Sequence, residues 1–309
     1  MSRARTIGLF LLLPLLFGAA FPAIKAGLDY VPPLLFAAGR YLLSAALLLG
    51  FAAATTDAWL PRTRSDWAAV LGAGVFFIGG TGLLYLGQQF TTSGVAAIIY
   101  SLIPILTPVV AWGLLPHERF SRRYVLGLFV GFVGVALVIR PDPSNLLGES
   151  VVGESLVLTA AASVTLGSVL VRRYRPTMSV VALTGWAMLP GALILVAFSL
   201  ALGESLAAVR PTVTAFLLLL YLAVFASGVG FAVYFHLLET LGPLQVNLVS
   251  YLIPVVAVTV GWLFLDEPIT ALTLVGFAVI VAGFALLRGD DLAPMLRRGF
   301  GKFRERSAA

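Results

Sequence analysis

The chain has 309 residues, of which 60% are hydrophobic and only 11% charged, with a formal net charge of +6. A water-soluble globule carries about 25% charged residues, so this composition excludes one. It contains no cysteine, which excludes disulfides, thiolate metal sites, cysteine nucleophiles and iron–sulfur clusters within the chain.

Most of the charges lie between ten long apolar runs: 7–26, 34–54, 67–89, 93–115, 124–139, 152–170, 179–202, 212–238, 244–265 and 269–287. A bilayer core needs about 20 apolar residues per spanning helix. Backbone groups in lipid must be satisfied within the segment, and sustained alternation is lacking, so the runs are expected to be helices rather than barrel strands.

The first run follows Arg3 and Arg5, and small residues stand at 18–20, as in a cleaved signal peptide. Its length, and a repeat that requires it, favour a first spanning helix. It carries Phe17 and ends near Lys25 and Asp29. The second run holds Arg40 a few residues from its start. That position is expected to be structural, with the side chain snorkelling to the interface or pairing with Asp29. The alternative is a bidentate grip on a substrate carboxylate. The third run ends with Tyr85, Gln88 and Gln89.

The fourth run contains YSLIPILTPVVAW (100–112), in which Tyr100 and Ser101 precede Pro104. The fifth has Gly127, Gly131 and Gly134 on one face, and the seventh holds Trp186. The eighth ends with His236 and Glu239, read as a solvated helix end. The ninth contains SYLIPVVAVTVGW (250–262); Asn247, Ser250 and Tyr251 precede Pro254, and Asn247 and Tyr251 share a face. Residues beyond 287 are rich in Lys and Arg and are read either as an amphipathic tail on the inner leaflet or as a solvated one.

The two proline segments belong to a duplication. Pro104 matches Pro254 and Trp112 matches Trp262 at an offset of 150. Glu118 then matches Glu267, Gly127 matches Gly276 and Gly134 matches Gly283 at an offset of 149. Upstream, Gly39 and Arg40 stand against Gly185 and Trp186. Because Gly276 and Gly283 recur at matching places, the glycine face of the fifth run is expected to pack within the chain rather than form a dimer seam.

Five helices per half make the halves enter the membrane from opposite sides. The fold expected is therefore an all-α integral membrane protein of ten transmembrane helices in two inverted five-helix repeats. Its parts are 1–140, 141–288 and a basic cytoplasmic tail, 289–309. With both termini cytoplasmic, all of the 20 basic residues except Lys25, Arg40, Arg140 and Arg210 fall on the inner side. The loop HERFSRR is basic and its counterpart DEPIT acidic, as opposite insertion requires. Proline removes a helix hydrogen bond, so Pro104 and Pro254 are read as matched helix breaks beside a midplane cavity, with helix packing as the alternative.

This arrangement resembles the drug/metabolite transporter superfamily, most closely its EamA-type exporters. The likeness rests on LIPILTPVVAWGLLPHERFSRRYVLGLFVGFVG, LIPVVAVTVGWLFLDEPITALTLVGFAVIVAG and the opening FGAAFPAIKAGLDYVPPLLFAAGRYLL, and it covers nearly the whole chain up to Leu287. It implies a central cavity lined by helices one, three, four, six, eight and nine, alternating access, and export of amino acids, other metabolites or drugs. The small multidrug-resistance branch has a glutamate in its first helix; none stands in 7–26, so proton exchange through that group is not expected.

The residues expected to bind substrate are Phe17, Tyr85, Gln88, Tyr100, Ser101, Asn247, Ser250 and Tyr251. Amides, hydroxyls and rings suit an amphipathic ligand, although interhelical hydrogen bonding accounts for the same residue types. A sugar-phosphate or nucleotide-sugar exchanger of the same superfamily would need more cations than Arg40 and Lys25. A membrane enzyme acting on lipid would need a convergent acid–base or metal cluster, which the runs lack. The histidines, His117 and His236, fall in separate places, and no P-loop motif occurs, so no catalysis, metal or cofactor is expected. The partners expected are a small-molecule substrate and the bilayer. No basic domain exists to hold nucleic acid. The oligomeric state is not legible, a monomer being compatible with the sequence.

Overall fold

The computed structural model describes residues 3–115, 122–139, 148–241, 246 and 249–287. Glu118, Asn247, the HERFSRR loop up to Ser121, and the basic tail lie outside the described residues, as does the side chain of Glu239.

All regular structure among the described residues is helical. In chain order the helices are α1 (Arg5–Gly27), α2 (Pro33–Thr55), α3 (Arg64–Gly87), α4 (Ser93–Leu114), α5 (Arg122–Ile139), α6 (Glu149–Tyr174), α7 (Val180–Ala201), α8 (Val213–Tyr234), α9 (Val249–Leu265) and α10 (Ala271–Leu287). Seven are long and apolar enough to cross a membrane; α5, α9 and α10 are shorter apolar helices. Exposed Leu, Val, Phe and Trp side chains cover the outside of the bundle, as lipid contact demands.

Hydrophobic burial does not drive helix association within lipid, so close packing by small residues must do so. The pair α5 and α10 shows how. A Cβ added to Gly134 would stand 2.7 Å from the Gly276 carbonyl, and one on Gly283 would stand 2.8 Å from the Gly127 carbonyl. Gly127 therefore lies beside Gly283 and Gly134 beside Gly276, which makes the two helices antiparallel. The glycine face packs within the chain, as its recurrence in the sequence implies.

Helices α2 and α7 are antiparallel too. Glu204, just past the end of α7, accepts from the Leu34 and Leu35 amides at the start of α2 (3.1 and 3.0 Å). Past the end of α2, the Ala58 carbonyl accepts from Ser179 N (3.1 Å), and the Trp59 carbonyl accepts from Trp186 Nε1 (2.8 Å), both at the start of α7. Between α3 and α7, Gly74 and Gly191 allow a similarly close approach.

Two helices contain π-helical turns, Ala73–Gly79 in α3 and Tyr221–Val229 in α8. They occupy matching places in the repeat. Such turns widen the helix and free carbonyls. Ser163 donates to the Phe76 carbonyl (2.8 Å), and Ser44 donates toward the Ala223 carbonyl (3.3 Å).

The two proline segments differ. In α4 the α-helix ends at Tyr100 and restarts at Ile103, with Pro104 in the first turn, where a missing N–H costs nothing. In α9 the helix runs from Val249 to Leu265 straight through Pro254. This corrects the expectation of two matched breaks. The turn at 101–102 keeps its own bonds, Ser101 Oγ donating to the Ile98 carbonyl (2.6 Å), whereas Pro254 is tolerated inside a continuous helix.

Candidate substrate site

Arg40 lies seven residues into α2, roughly 10 Å below the helix start at 1.5 Å per residue. Its guanidinium turns into the bundle. Nε donates to Ser227 Oγ (3.2 Å) in the π-helical turn of α8, and Nη1 donates to the Tyr85 hydroxyl (3.2 Å) near the end of α3. Its Cζ lies 5.1 Å from the Tyr41 ring centroid. This corrects the expected placement of Arg40: it neither snorkels out nor pairs with Asp29, because the α2 face bearing Arg40 and Ser44 packs on α8.

An arginine at the centre of a spanning helix costs about 2.5–3.5 kcal/mol on insertion scales. Two hydrogen bonds from a charged group, each worth about 1.5–3 kcal/mol, and a cation–π contact of about 0.5–2 kcal/mol are enough to retain it. No carboxylate neutralises it among the described residues.

Several polar groups share this neighbourhood. Tyr41, Tyr85 and Tyr221 surround the guanidinium, and Tyr100 lies within electrostatic reach of Arg40, Tyr41 and Tyr85. The Tyr41 and Thr81 hydroxyls are 2.9 Å apart. The Tyr221 hydroxyl donates to the Leu16 carbonyl (2.9 Å). Tyr100, seven residues into α4, stands at the same depth as Arg40 and packs edge-on against Phe21, with ring centroids 5.6 Å apart. Its buried hydroxyl has no hydrogen-bond partner among the described residues. Gln88, one turn beyond Tyr85, is fully buried; its Nε2 reaches the Phe21 carbonyl (3.4 Å), and its Oε1 has no partner among the described residues.

The structure thus brings Tyr85, Gln88 and Tyr100 around Arg40 and Phe21, and it places Phe17, Ser101, Ser250 and Tyr251 elsewhere, Asn247 lying outside the described residues. Phe17 packs on Phe231 (5.7 Å between centroids) between α1 and α8. Ser101 is buried and closes its own turn. Tyr251 packs on Phe284 of α10 (4.5 Å). Ser250 is half-buried on α9. Sequence reasoning passed over Ser227, Tyr41 and Thr81. The available signal was Ser44, one turn after Arg40, which marks that face as protein-facing.

At one end of the bundle, charged groups from neighbouring segments cap helix ends. Glu204 caps α2 and also accepts from Ser199 Oγ (2.8 Å). Glu267, past the end of α9, accepts from Ser93 N and Ser93 Oγ (2.7 Å each) and so caps α4. Gly261 leaves room for this cap, since a Cβ there would stand 2.4 Å from Glu267 Oε2. Lys25 donates to the Gln88 and Gln89 carbonyls (2.5 and 3.3 Å) at the end of α3. Each contact puts charge where the helix dipole favours it, worth about 0.3–1 kcal/mol.

Two grooves of about 480 and 250 Å³ lie to the side. The larger is bordered by the starts of α2 and α8, the smaller by Leu47, Phe51, Val181 and Gly228. Neither lining includes Arg40, Tyr85 or Tyr100.

The chain matches the model of the EamA-like transporter family twice, over residues 4–140 and 151–289. It is 29% identical over 303 residues to the uncharacterized transporter YvbV of Bacillus subtilis (strain 168), covering 95% of this chain and 94% of that protein. It is 27% identical over 281 residues to the uncharacterized inner membrane transporter YedA of Escherichia coli (strain K12), covering 91% and 89%. A solved crystal structure superimposes with a TM-score of 0.64 at 20% identity, over 97% of this chain and 99% of that one, a likeness of fold.

Proposed function

The chain belongs to the EamA-like transporter family, and on that premise we propose that it exports small amphipathic metabolites, amino acids or related compounds among them, or drugs, by alternating access between two inverted halves. The observation that carries this reading is the α5–α10 crossing. The repeat relates Gly127 to Gly276 and Gly134 to Gly283. Exchanging the halves therefore turns the contact of Gly127 with Gly283 into that of Gly276 with Gly134, so the crossing maps onto itself. Antiparallel helices related in this way imply a two-fold axis across them, which is the plan of an inverted-repeat transporter. The division at 1–140 and 141–288 is part of this reading, supported by the two family matches over 4–140 and 151–289.

In this reading both termini are cytoplasmic. The end bearing Glu204, Glu267 and Lys25 is external, and Tyr85, Gln88 and Tyr100 border the substrate path beside Arg40. Exchange of sugar phosphates fits less well. Lys25 is engaged by carbonyls, so Arg40 is the cation left to the cluster among the described residues.

The test is orientation and transport together. Single cysteines at Ser205 and Asp266 should react with an impermeant maleimide added to intact cells, and one at Thr177 only after permeabilisation. Liposomes containing the purified protein should show counterflow of labelled amino acids. Labelling of all three sites from outside, or absence of counterflow across amino acids, nucleosides and cationic dyes, would overturn the reading.

A further inference from the structure

We propose that Arg40, together with the Tyr85 and Tyr100 hydroxyls, forms the subsite for a single carboxylate of the transported compound, and that Gln88 Oε1 takes a hydrogen-bond donor carried by the same compound. This rests on the transporter reading above.

A guanidinium has five N–H donors. Ser227 and Tyr85 accept two, and the other three have no acceptor among the described residues. The Tyr85 oxygen already accepts from Arg40, so its own proton is directed elsewhere. The Tyr100 hydroxyl is buried in the same neighbourhood and has no partner among the described residues. Donors thus gather around a site with a positive charge and no anion among the described residues.

A carboxylate is acceptor-only, has about four lone-pair positions and matches the planar fork of arginine. Phosphates carry more charge and would call for further cations. Gln88 Oε1 is the complementary feature, a buried acceptor without a donor, one turn from Tyr85 and against Phe21. A ligand joining a carboxylate to an N–H or O–H group satisfies both ends. The rings of Phe21, Phe36 and Tyr100 provide apolar walls between them.

The experiment is thermal stabilisation of the purified, detergent-solubilised protein by matched pairs: L-leucine against L-leucinamide and L-phenylalanine against L-phenylalaninamide, with chloride and inorganic phosphate as controls. The acids should stabilise and the amides should not. In Arg40→Gln the difference should vanish. Tyr100→Phe loses no protein hydrogen bond and so should fold normally, yet its apparent affinity for the acids should fall about fivefold to tenfold.

Equal stabilisation by acid and amide, stabilisation by chloride or phosphate alone, no shift with any compound, or wild-type affinity in Tyr100→Phe would overturn the proposal. Counterflow of cationic dyes without acid selectivity would remove this inference and leave the transporter reading standing.

Discussion

The same place in the two halves holds Arg40 and Trp186, and their surroundings differ completely. Arg40 faces the Tyr85 and Ser227 hydroxyls inside the bundle. Trp186 packs on Trp67 (5.9 Å between ring centroids) and donates to a backbone carbonyl at the end of α2. Features that shape the backbone are repeated: the glycine crossing, the π-helical turns of α3 and α8, and the antiparallel seating of α2 on α7. The chemistry is not repeated, because α2, α3 and α4 of the first half supply Arg40, Tyr41, Tyr85 and Tyr100, while the second half contributes Tyr221 and Ser227. Rocking requires two similar halves. Recognition of one small molecule requires one asymmetric site.

The contrast breaks most sharply at Arg40. Arg40→Gln should lower transport about a hundredfold or more, equivalent to about 3 kcal/mol. Arg40→Lys should recover little, since an ammonium cannot reproduce the fork. Trp186→Phe, at the matching place, should leave transport within about twofold. Initial rates in liposomes measure all three, and equal losses at the two positions would erase the distinction.

The shared scaffold comes next in size. Gly134→Leu should cost about 1–3 kcal/mol by forcing α5 and α10 apart. Gly50→Leu and Gly113→Leu, where an added Cβ meets nothing within 4 Å, should be neutral. Chemical denaturation in detergent separates the two classes.

The smallest effect concerns the proline segments and their neighbours. Tyr100→Phe should leave the stability of the ligand-free protein unchanged or raise it by about 1 kcal/mol, because the deleted hydroxyl has no partner. Tyr251→Phe, beside the unbroken helix, should not alter affinity for any substrate. A loss of affinity there as large as at Tyr100 would extend the site to the face of α9 that packs on α10.

Much of the fold was legible. Ten apolar runs announce ten helices, and glycines at equal offsets announce the crossing of α5 and α10. The π-helical turns were not legible, because one extra residue per turn leaves no mark on composition. The break at Tyr100–Ile103 and the continuity through Pro254 were not either; the same Leu-Ile-Pro reads alike in both, and tertiary packing decides. Arg40 was misjudged from its distance to the helix end, whereas the direction of a helical side chain follows the packed face. The carboxylate caps by Glu204 and Glu267 join residues far apart in sequence and leave no local pattern.

The central claim is that a polar cluster within an inverted-repeat bundle opens to each side in turn. The chain lacks cysteine, so a single cysteine at Ser227 reports this directly. In right-side-out and inside-out vesicles it should react with a small water-soluble thiol reagent from both faces, and transported substrate should protect it. Reaction from one face only, or from neither in any condition, would contradict the account.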